Sequence, residues 1–122
     1  MLKNEEGKYK IVYLISSNPH KAKEMNSIAS KYNIKIVPVD IKKVEIQSED
    51  LAEIALNAAR EAYTKLQKPL IVEDAGLFIK ELNGFPGPYS SYVYKTIGCK
   101  EILKLLEDIE NREAYFKSVI VY

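Results

Sequence analysis

Short apolar segments of β type alternate along this chain with longer segments of helical periodicity. In one of the longer segments, Ala22, Met25, Ile28, Ala29 and Tyr32 recur at the spacing of one helix face. The predicted elements, in chain order, are a strand over Tyr9–Ile15, a helix over Pro19–Tyr32, a strand over Ile34–Val39, a helix over Asp50–Gln67, a strand over Leu70–Val72, helices over Tyr89–Ile97 and Cys99–Glu107, and a strand over Glu113–Tyr122. This alternation predicts an α/β fold with a mixed twisted sheet flanked by helices, in one domain over residues 1–122.

Two adjacent carboxylates, Glu73 and Asp74, follow the apolar segment Leu70–Val72 and precede a loop rich in glycine and proline. We expect the strand to end at Val72, so that the carboxylates lie at its carboxyl end, where open α/β sheets bind ligands. Because side chains alternate along a strand, the two should point to opposite faces. One is expected to be solvated or structurally bonded, and the other to be available for chemistry.

The segment Ser16–Lys21 lies between a predicted buried strand and a predicted amphipathic helix. Pro19 suits the first helical position, where an N–H has no intrahelical partner, and Ser17 or Asn18 can cap the helix. The first amides and the positive end of the helix dipole suit a phosphate, and Lys21 adds a full positive charge. The residues alone also fit an ordinary capped helix with a surface lysine, which is the commoner case, and both interpretations stay open.

Charge and cysteine content restrict the classes of partner and compartment. The net charge of +1 gives no global field for nucleic acid or acidic lipid, and the apolar runs are too short to cross a membrane. The amino-terminal segment Met1–Lys10 is charged and lacks a signal-peptide core. Cys99 is the single cysteine, which excludes a disulfide framework and favours a cytoplasmic location. Lys and Glu far outnumber Arg and Asp, which is typical of a thermophile.

The last predicted strand, in the β-forming segment Ala114–Tyr122, still continues at the final residue of the sequence. An uncovered apolar strand edge invites pairing with another chain. Either this strand pairs within the chain or it forms part of an interface between copies. We favour self-association.

Two motifs stand far apart in the chain. One is Ser-Ser-Asn-Pro-His-Lys-x-x-Glu from Ser16, and the other is Val-Glu-Asp-Ala-Gly-Leu-Phe-Ile from Val72, followed by Leu-Asn-Gly-Phe-Pro-Gly-Pro-Tyr-Ser-Ser-Tyr-Val-Tyr from Leu82. Together they resemble the inosine/xanthosine triphosphate pyrophosphatase family, most closely its archaeal members, over nearly the whole chain. The resemblance implies a two-lobed α/β fold with a long central strand, usually in a homodimer. It also implies hydrolysis of ITP, dITP and XTP, which are non-standard purine nucleoside triphosphates, to monophosphate and pyrophosphate.

The resemblance implies roles for particular residues. Asp74 matches a catalytic aspartate that binds metal and activates water, and Glu45, in Val-Glu-Ile-Gln, matches a glutamate on the metal side. The implied metal is Mg²⁺, which usually takes one or two protein carboxylates together with water and phosphate oxygens. Ala75 stands where relatives usually carry Ser or Thr, so its backbone amide alone is left to contact substrate, and Glu73 is expected to be structural. The implied triphosphate-binding loop comprises Ser16, Ser17, Asn18, Pro19, His20 and Lys21, with Lys21 as the main cation.

Family members are also implied to continue beyond the strand that ends this sequence. An aromatic-Gly-Tyr-Asp-Pro segment and a Ser-His-Arg segment, implied to hold the purine base, are absent from these 122 residues, so we expect a shortened version of the fold. Two hypotheses follow: a metal-dependent pyrophosphatase, or a truncated, catalytically deficient homologue that folds, self-associates and at most binds phosphate and Mg²⁺. The expected partners are a purine nucleoside triphosphate and a second copy of the chain, without nucleic acid or membrane.

Overall fold

A computed structural model of the protein describes residues 9–122. The strands and helices, in chain order, are β1 (Lys10–Ile15), α1 (Pro19–Ala29), β2 (Ile34–Val39), α2 (Leu51–Leu66), β3 (Leu70–Ile79), β4 (Pro86–Gly87), α3 (Ser90–Thr96), α4 (Gly98–Leu105) and β5 (Ala114–Val121). The sheet order is β2-β1-β3-β4, with β5 paired to β3, so the expected mixed α/β fold is confirmed. The first eight residues of the charged amino-terminal segment lie outside the described residues.

The packing divides the chain into two compact units. The first contains the described part of Met1–Ile46, together with Ala55–Val72 and Ile120–Tyr122. The second contains Gln47–Ile54 and Glu73–Val119. Helix α2 and strands β3 and β5 contribute residues to both units. The expectation of a single domain over residues 1–122 stays a prediction.

In the first unit, β1 is the middle strand of a parallel arrangement. It pairs with β2 from Lys10↔Ile34 to Ile15↔Val39, and with β3 at Tyr13↔Leu70 and Leu14↔Ile71. The connection from β1 to β2 passes through α1, as parallel pairing requires a crossover. The carboxyl end of β1 therefore leads directly into the segment Ser16–Lys21.

Helix α1 packs on this sheet through its apolar face. Val12, Leu14, Ala22 and Ile36 form a buried cluster, and Met25, Ala29, Ile34 and Ile71 pack against it. The helix ends at Ala29 and continues as a 3₁₀ turn over Ser30–Tyr32, so the predicted helix through Tyr32 changes type in its last turn. Asn33 follows in the left-handed conformation (φ 55°), which Asn tolerates well, and closes the element as expected.

Helix α2 buries one apolar face. Its buried residues recur at helical spacing, and they are Leu51, Ile54, Ala55, Ala58, Ala59 and Ala62. Asp50 caps its amino end, because Asp50 Oδ1 accepts a hydrogen bond of 2.9 Å from the Ala52 amide. The predicted bounds, Asp50–Gln67, thus differ from the helix by one residue at each end.

Strand β3 is longer than the sequence predicted. It runs over Leu70–Ile79, so the expectation that it ends at Val72 is wrong, and Glu73 and Asp74 lie in its middle. Gly76, which suggested a break, is a strand residue. A Cβ at Gly76 would lie 2.3 Å from the carbonyl oxygen of Gly87, so this position requires glycine for close approach of the β4 backbone.

In the second unit, β3 pairs with β4 in antiparallel orientation, at Leu77↔Gly87 and Phe78↔Pro86. Helices α3 and α4 follow β4; α3 lies within its predicted bounds, and α4 begins at Gly98, one residue before the predicted Cys99, and ends two residues earlier than predicted. The rings of Phe78 and Tyr115 stack, with centroids 5.2 Å apart and planes 3° from parallel. This stack joins β3 to β5.

Strand β5 pairs with β3, so pairing within the chain, one of the two alternatives, is observed. Self-association stays a prediction. Several side chains of the strand are exposed, and among its large apolar residues Phe116 is the most exposed, at 81%. Over residues 9–122, no helix is both long enough and apolar enough to cross a membrane.

Candidate functional site

The segment Ser16–Lys21 is the turn from β1 into α1. Asn18 has extended backbone angles (φ −96°, ψ 107°), and its Oδ1 accepts a hydrogen bond of 3.0 Å from the His20 amide. Asn18 is therefore the helix cap, which decides between the two candidates Ser17 and Asn18. Pro19 is at the start of the helix, as predicted.

Ser16 shapes the same turn. Its Oγ accepts a hydrogen bond of 3.0 Å from the Asn18 amide, and its own amide donates to Val39 O at 3.2 Å, which ties the turn to β2. Ser16 and Lys21 are half-buried, whereas Ser17, Asn18, Pro19 and His20 are exposed. The first turn of α1 contains no acidic residue, so no carboxylate within that turn offsets the positive end of the dipole. These features suit an anion.

Asp74 and its neighbours lie on β3 in the second unit. Asp74 is half-buried, and its Oδ1 accepts a hydrogen bond of 3.1 Å from the Ala75 amide. The one group of Ala75 expected to contact substrate thus donates to the candidate catalytic carboxylate. A hydrogen bond to the charged form of a carboxylate stabilises that form.

Glu73 has a structural contact. Its Oε2 accepts a hydrogen bond of 2.8 Å from Ser118 Oγ, which connects β3 to β5. Neighbouring residues of a strand point to opposite faces, so the side chains of Glu73 and Asp74 lie in different surroundings. This contact supports the expectation that Glu73 is structural.

Glu45 lies between β2 and α2, outside any helix or strand, in the first unit. Its Oε1 is 3.4 Å from Lys43 Nζ, and 57% of its side chain is exposed. Because the Glu45 side chain is largely exposed, although only 23% of the Lys43 side chain is exposed, solvent screening keeps the contribution of this ion pair to stability small, about 0–1 kcal/mol. The carboxylate could exchange Lys43 for a metal ion at little cost.

The donors expected for a metal are carboxylate oxygens, which suit a hard cation such as Mg²⁺. Within the described part of the chain, no three His, Cys, Asp or Glu side chains are grouped so as to hold a metal ion. Mg²⁺ bound with a nucleotide needs only one or two carboxylates, because phosphate oxygens and water complete its octahedron. The donor types at Asp74 and Glu45 fit that requirement.

Two sizeable cavities contain none of the predicted site residues. One, of about 640 Å³, lies in the second unit among side chains of β3, α3, α4 and β5, including Leu77, Val93, Ile102 and Phe116. The other, of about 450 Å³, lies in the first unit beside Arg60, Tyr63 and Tyr122. Neither cavity therefore contains the candidate residues Ser16–Lys21 and Glu45, which lie in the first unit, or Asp74, which lies in the second.

Two serines that matter for the Asp74 strand were not assigned roles from the sequence. Ser118 bonds Glu73, and Ser90 Oγ accepts a hydrogen bond of 2.8 Å from the Leu77 amide. The partners are 45 and 13 residues apart, respectively. Ser90 belongs to the motif segment from Leu82 that carries the family resemblance, which was the available signal for it, whereas Ser118 lies outside both motifs.

The sequence was also compared with known protein families and relatives, and the matches include these segments. The Ham1 family model matches residues 12–122. A dITP/XTP pyrophosphatase of Hyperthermus butylicus is 52% identical over 111 residues, which are 91% of this chain and 58% of the relative. A dITP/XTP pyrophosphatase of Ignicoccus hospitalis is 49% identical over 108 residues, 88% of this chain and 57% of the relative. The chain thus spans somewhat more than half the length of these relatives.

Solved structures give the same fold. A HAM1 protein from Coxiella burnetii matches with a TM-score of 0.79 and 29% identity, over 91% of this chain and 61% of the other. The Ham1 protein of Staphylococcus aureus matches with a TM-score of 0.75 and 25% identity, over 91% of this chain and 62% of the other. The resemblance seen in the two motifs is confirmed. The chain belongs to the Ham1 family.

Proposed function

We propose that this protein hydrolyses non-standard purine nucleoside triphosphates (ITP, dITP and XTP) to the nucleoside monophosphate and pyrophosphate. The observation that carries the proposal is the family match over residues 12–122, which includes both Ser16–Lys21 and Asp74. The similarity to relatives named dITP/XTP pyrophosphatase gives the substrate class. The capped start of α1, the nearby Lys21 and the half-buried Asp74 supply matching chemistry.

Each segment has a defined part in this proposal. Lys21 and the first amides of α1 bind the phosphates, because both present positive charge to an anion. Ser16, Ser17 and His20 add polar groups, while Asn18 and Pro19 set the conformation of the turn. Asp74 accepts the proton of the attacking water, and the Ala75 amide holds the carboxylate in place for this step.

We further propose that Asp74 and Glu45 hold Mg²⁺. When bound, such an ion supplies charge neutralisation of the triphosphate and lowers the pKa of a coordinated water. We also propose that the protein acts as a homodimer in the cytoplasm, without nucleic acid or membrane as a partner. The exposed apolar side chains of β5, and its pairing with β3 alone within residues 9–122, support the dimer, and the lone Cys99 supports a reducing compartment.

The test is release of pyrophosphate from ITP and XTP, with ATP and GTP as comparison substrates and Mg²⁺ present or removed by a chelator. Asp74→Asn should abolish turnover, because the amide neither accepts the proton nor carries charge for the metal. Glu73→Gln is the matched control, since a Gln oxygen can still accept from Ser118. Equal rates for the wild type and Asp74→Asn would refute the catalytic role.

A second candidate is a protein that binds polyphosphate and Mg²⁺ without turnover. It is favoured by one observation, that the capped start of α1, with no acidic residue in its first turn, suits a phosphate independently of any chemistry at Asp74. Calorimetric titration with ITP in the presence of Mg²⁺ distinguishes the candidates. Binding that is weakened by Lys21→Ala, with no pyrophosphate released, would support the second.

A further inference from the structure

Ser90, the first residue of α3, is hydrogen bonded to the strand that carries Asp74. Its Oγ accepts from the Leu77 amide at 2.8 Å and donates to Gly87 O at 2.6 Å. One half-buried hydroxyl therefore connects β3, β4 and the start of α3. All of these residues, and Asp74, belong to the second unit.

The backbone ladder between β3 and β4 is too short to fix these two strands to each other by itself, and the pairing of β5 with β3 does not involve β4. Strand β4 has two residues, and Pro86, which faces Phe78, has no N–H to donate. The Leu77 amide is satisfied by the Ser90 side chain. The Ser90 hydroxyl thus accepts a hydrogen bond that a backbone carbonyl usually accepts in antiparallel pairing.

Because Gly76 and Gly87 approach closely, the position of β3 depends on where the Gly87 carbonyl lies. A Cβ at Gly76 would be 2.3 Å from Gly87 O, so this carbonyl lies directly against the backbone of β3. Ser90 donates to the same oxygen. A shift of Gly87 O is therefore transmitted to Gly76, two positions from Asp74 in the strand.

We propose that Ser90 is a positioning residue for Asp74. By holding Gly87 O and the Leu77 amide together, it fixes the path of β3 from Gly76 onward, and with it the backbone that carries Asp74 and the Ala75 amide. The inference rests on the proposed function, in which Asp74 accepts the proton from water. Displacing such a group by 1 Å can lower a rate by about 100-fold.

Three variants test the proposal. Ser90→Ala removes the bridging hydroxyl without adding volume, Ser90→Thr retains a hydroxyl, and Ser91→Ala is the matched control on the exposed side of the same helix. We expect Ser90→Ala to lower kcat for ITP hydrolysis by about tenfold or more while KM changes by less than about twofold. Ser90→Thr should recover most of the loss, and Ser91→Ala should behave as wild type.

Amide hydrogen exchange, followed by NMR at a temperature where every variant is folded, gives a readout that does not depend on activity. Ser90→Ala should speed exchange at Leu77 and Ala75 and leave the amides of β1 unchanged. If the wild type is inactive, the proposed function fails, and the exchange rates alone then test the positioning role of Ser90. Faster exchange at both amides in Ser90→Ala supports that role, and unchanged exchange overturns it.

In an active protein, the kinetics decide. A kcat that is unchanged in Ser90→Ala would overturn the proposal, whatever the exchange rates. A loss of kcat that only matches a loss of folded protein would overturn it as well. A loss of kcat at full folding, recovered in Ser90→Thr, supports it.

Discussion

At the scale of single residues, Asn26 makes a contact that stabilises the first unit. From α1, its Nδ2 donates to Ile36 O and its Oδ1 accepts from Ile36 N, both at 2.8 Å. The amide thereby satisfies both backbone groups of a buried residue in β2. A buried backbone group left without a partner carries its full desolvation cost.

We therefore predict that Asn26→Ala destabilises the protein by about 1–3 kcal/mol, because Ile36 loses both hydrogen bonds. Urea unfolding followed by circular dichroism measures the change, with the exposed Lys23→Ala in the same helix as control. A loss of stability no larger than that of the control would show that water replaces the Asn26 amide.

Residues of this kind are hard to find from sequence. Asn26 is ten residues from Ile36, and Ser118 is 45 residues from Glu73, so neither partnership leaves a local pattern. By contrast, the Asn18 cap was among the predicted candidates because its bond reaches only two residues along the chain, to His20. Local hydrogen bonds follow from residue type and spacing, whereas distant ones need the folded register.

At the scale of elements, periodicity predicted the helices and the strands β1, β2 and β5 well, but it failed in the middle of β3 and missed the two-residue strand β4. The predicted strand ends at Val72, before Gly76, because glycine usually weakens strands. Here the missing side chain makes room for Gly87 O, a requirement that comes from a segment eleven positions later in the chain and is visible only after folding. The apolar Leu77, Phe78 and Ile79 beyond the glycine were the available sign that the strand resumes.

The amino end of α1 is the element where the structural and the functional interpretations can be separated. Asn18→Ala removes the cap oxygen and should cost about 1 kcal/mol of stability. Asn18→Asp keeps a cap oxygen and favours the helix dipole, so stability should be retained. The added negative charge should, however, weaken binding of ITP with Mg²⁺ at Ser16–Lys21.

Denaturant unfolding and calorimetric titration with ITP, run on both Asn18 variants, measure the two effects. If Ser16–Lys21 is an ordinary capped helix start without a phosphate site, Asn18→Asp should leave the affinity for ITP unchanged. That outcome would remove Ser16–Lys21 from the proposed phosphate site while leaving its structural role intact.

At the scale of the whole molecule, the exposed apolar surface of β5 calls for an explanation. Phe116 is 81% exposed, Tyr122 72% and Ile120 62%, all on or next to one strand. Within residues 9–122, β3 is the strand that pairs with β5, and no second strand is assigned to it. Strand edges of this length are usually covered or charged in monomeric proteins, because they recruit other chains.

We predict that the protein self-associates through β5 and that Phe116→Lys shifts it toward the monomer, since a charge on an edge strand disfavours pairing. Sedimentation velocity over a range of protein concentrations measures the shift, because association follows mass action. Tyr32→Lys is the matched control, as Tyr32 is an exposed aromatic residue (59%) on a 3₁₀ turn rather than on a strand. A wild type that sediments as a monomer at every concentration would contradict the prediction. Equal dissociation by both lysine variants would instead show that net charge, and not the β5 edge, controls association.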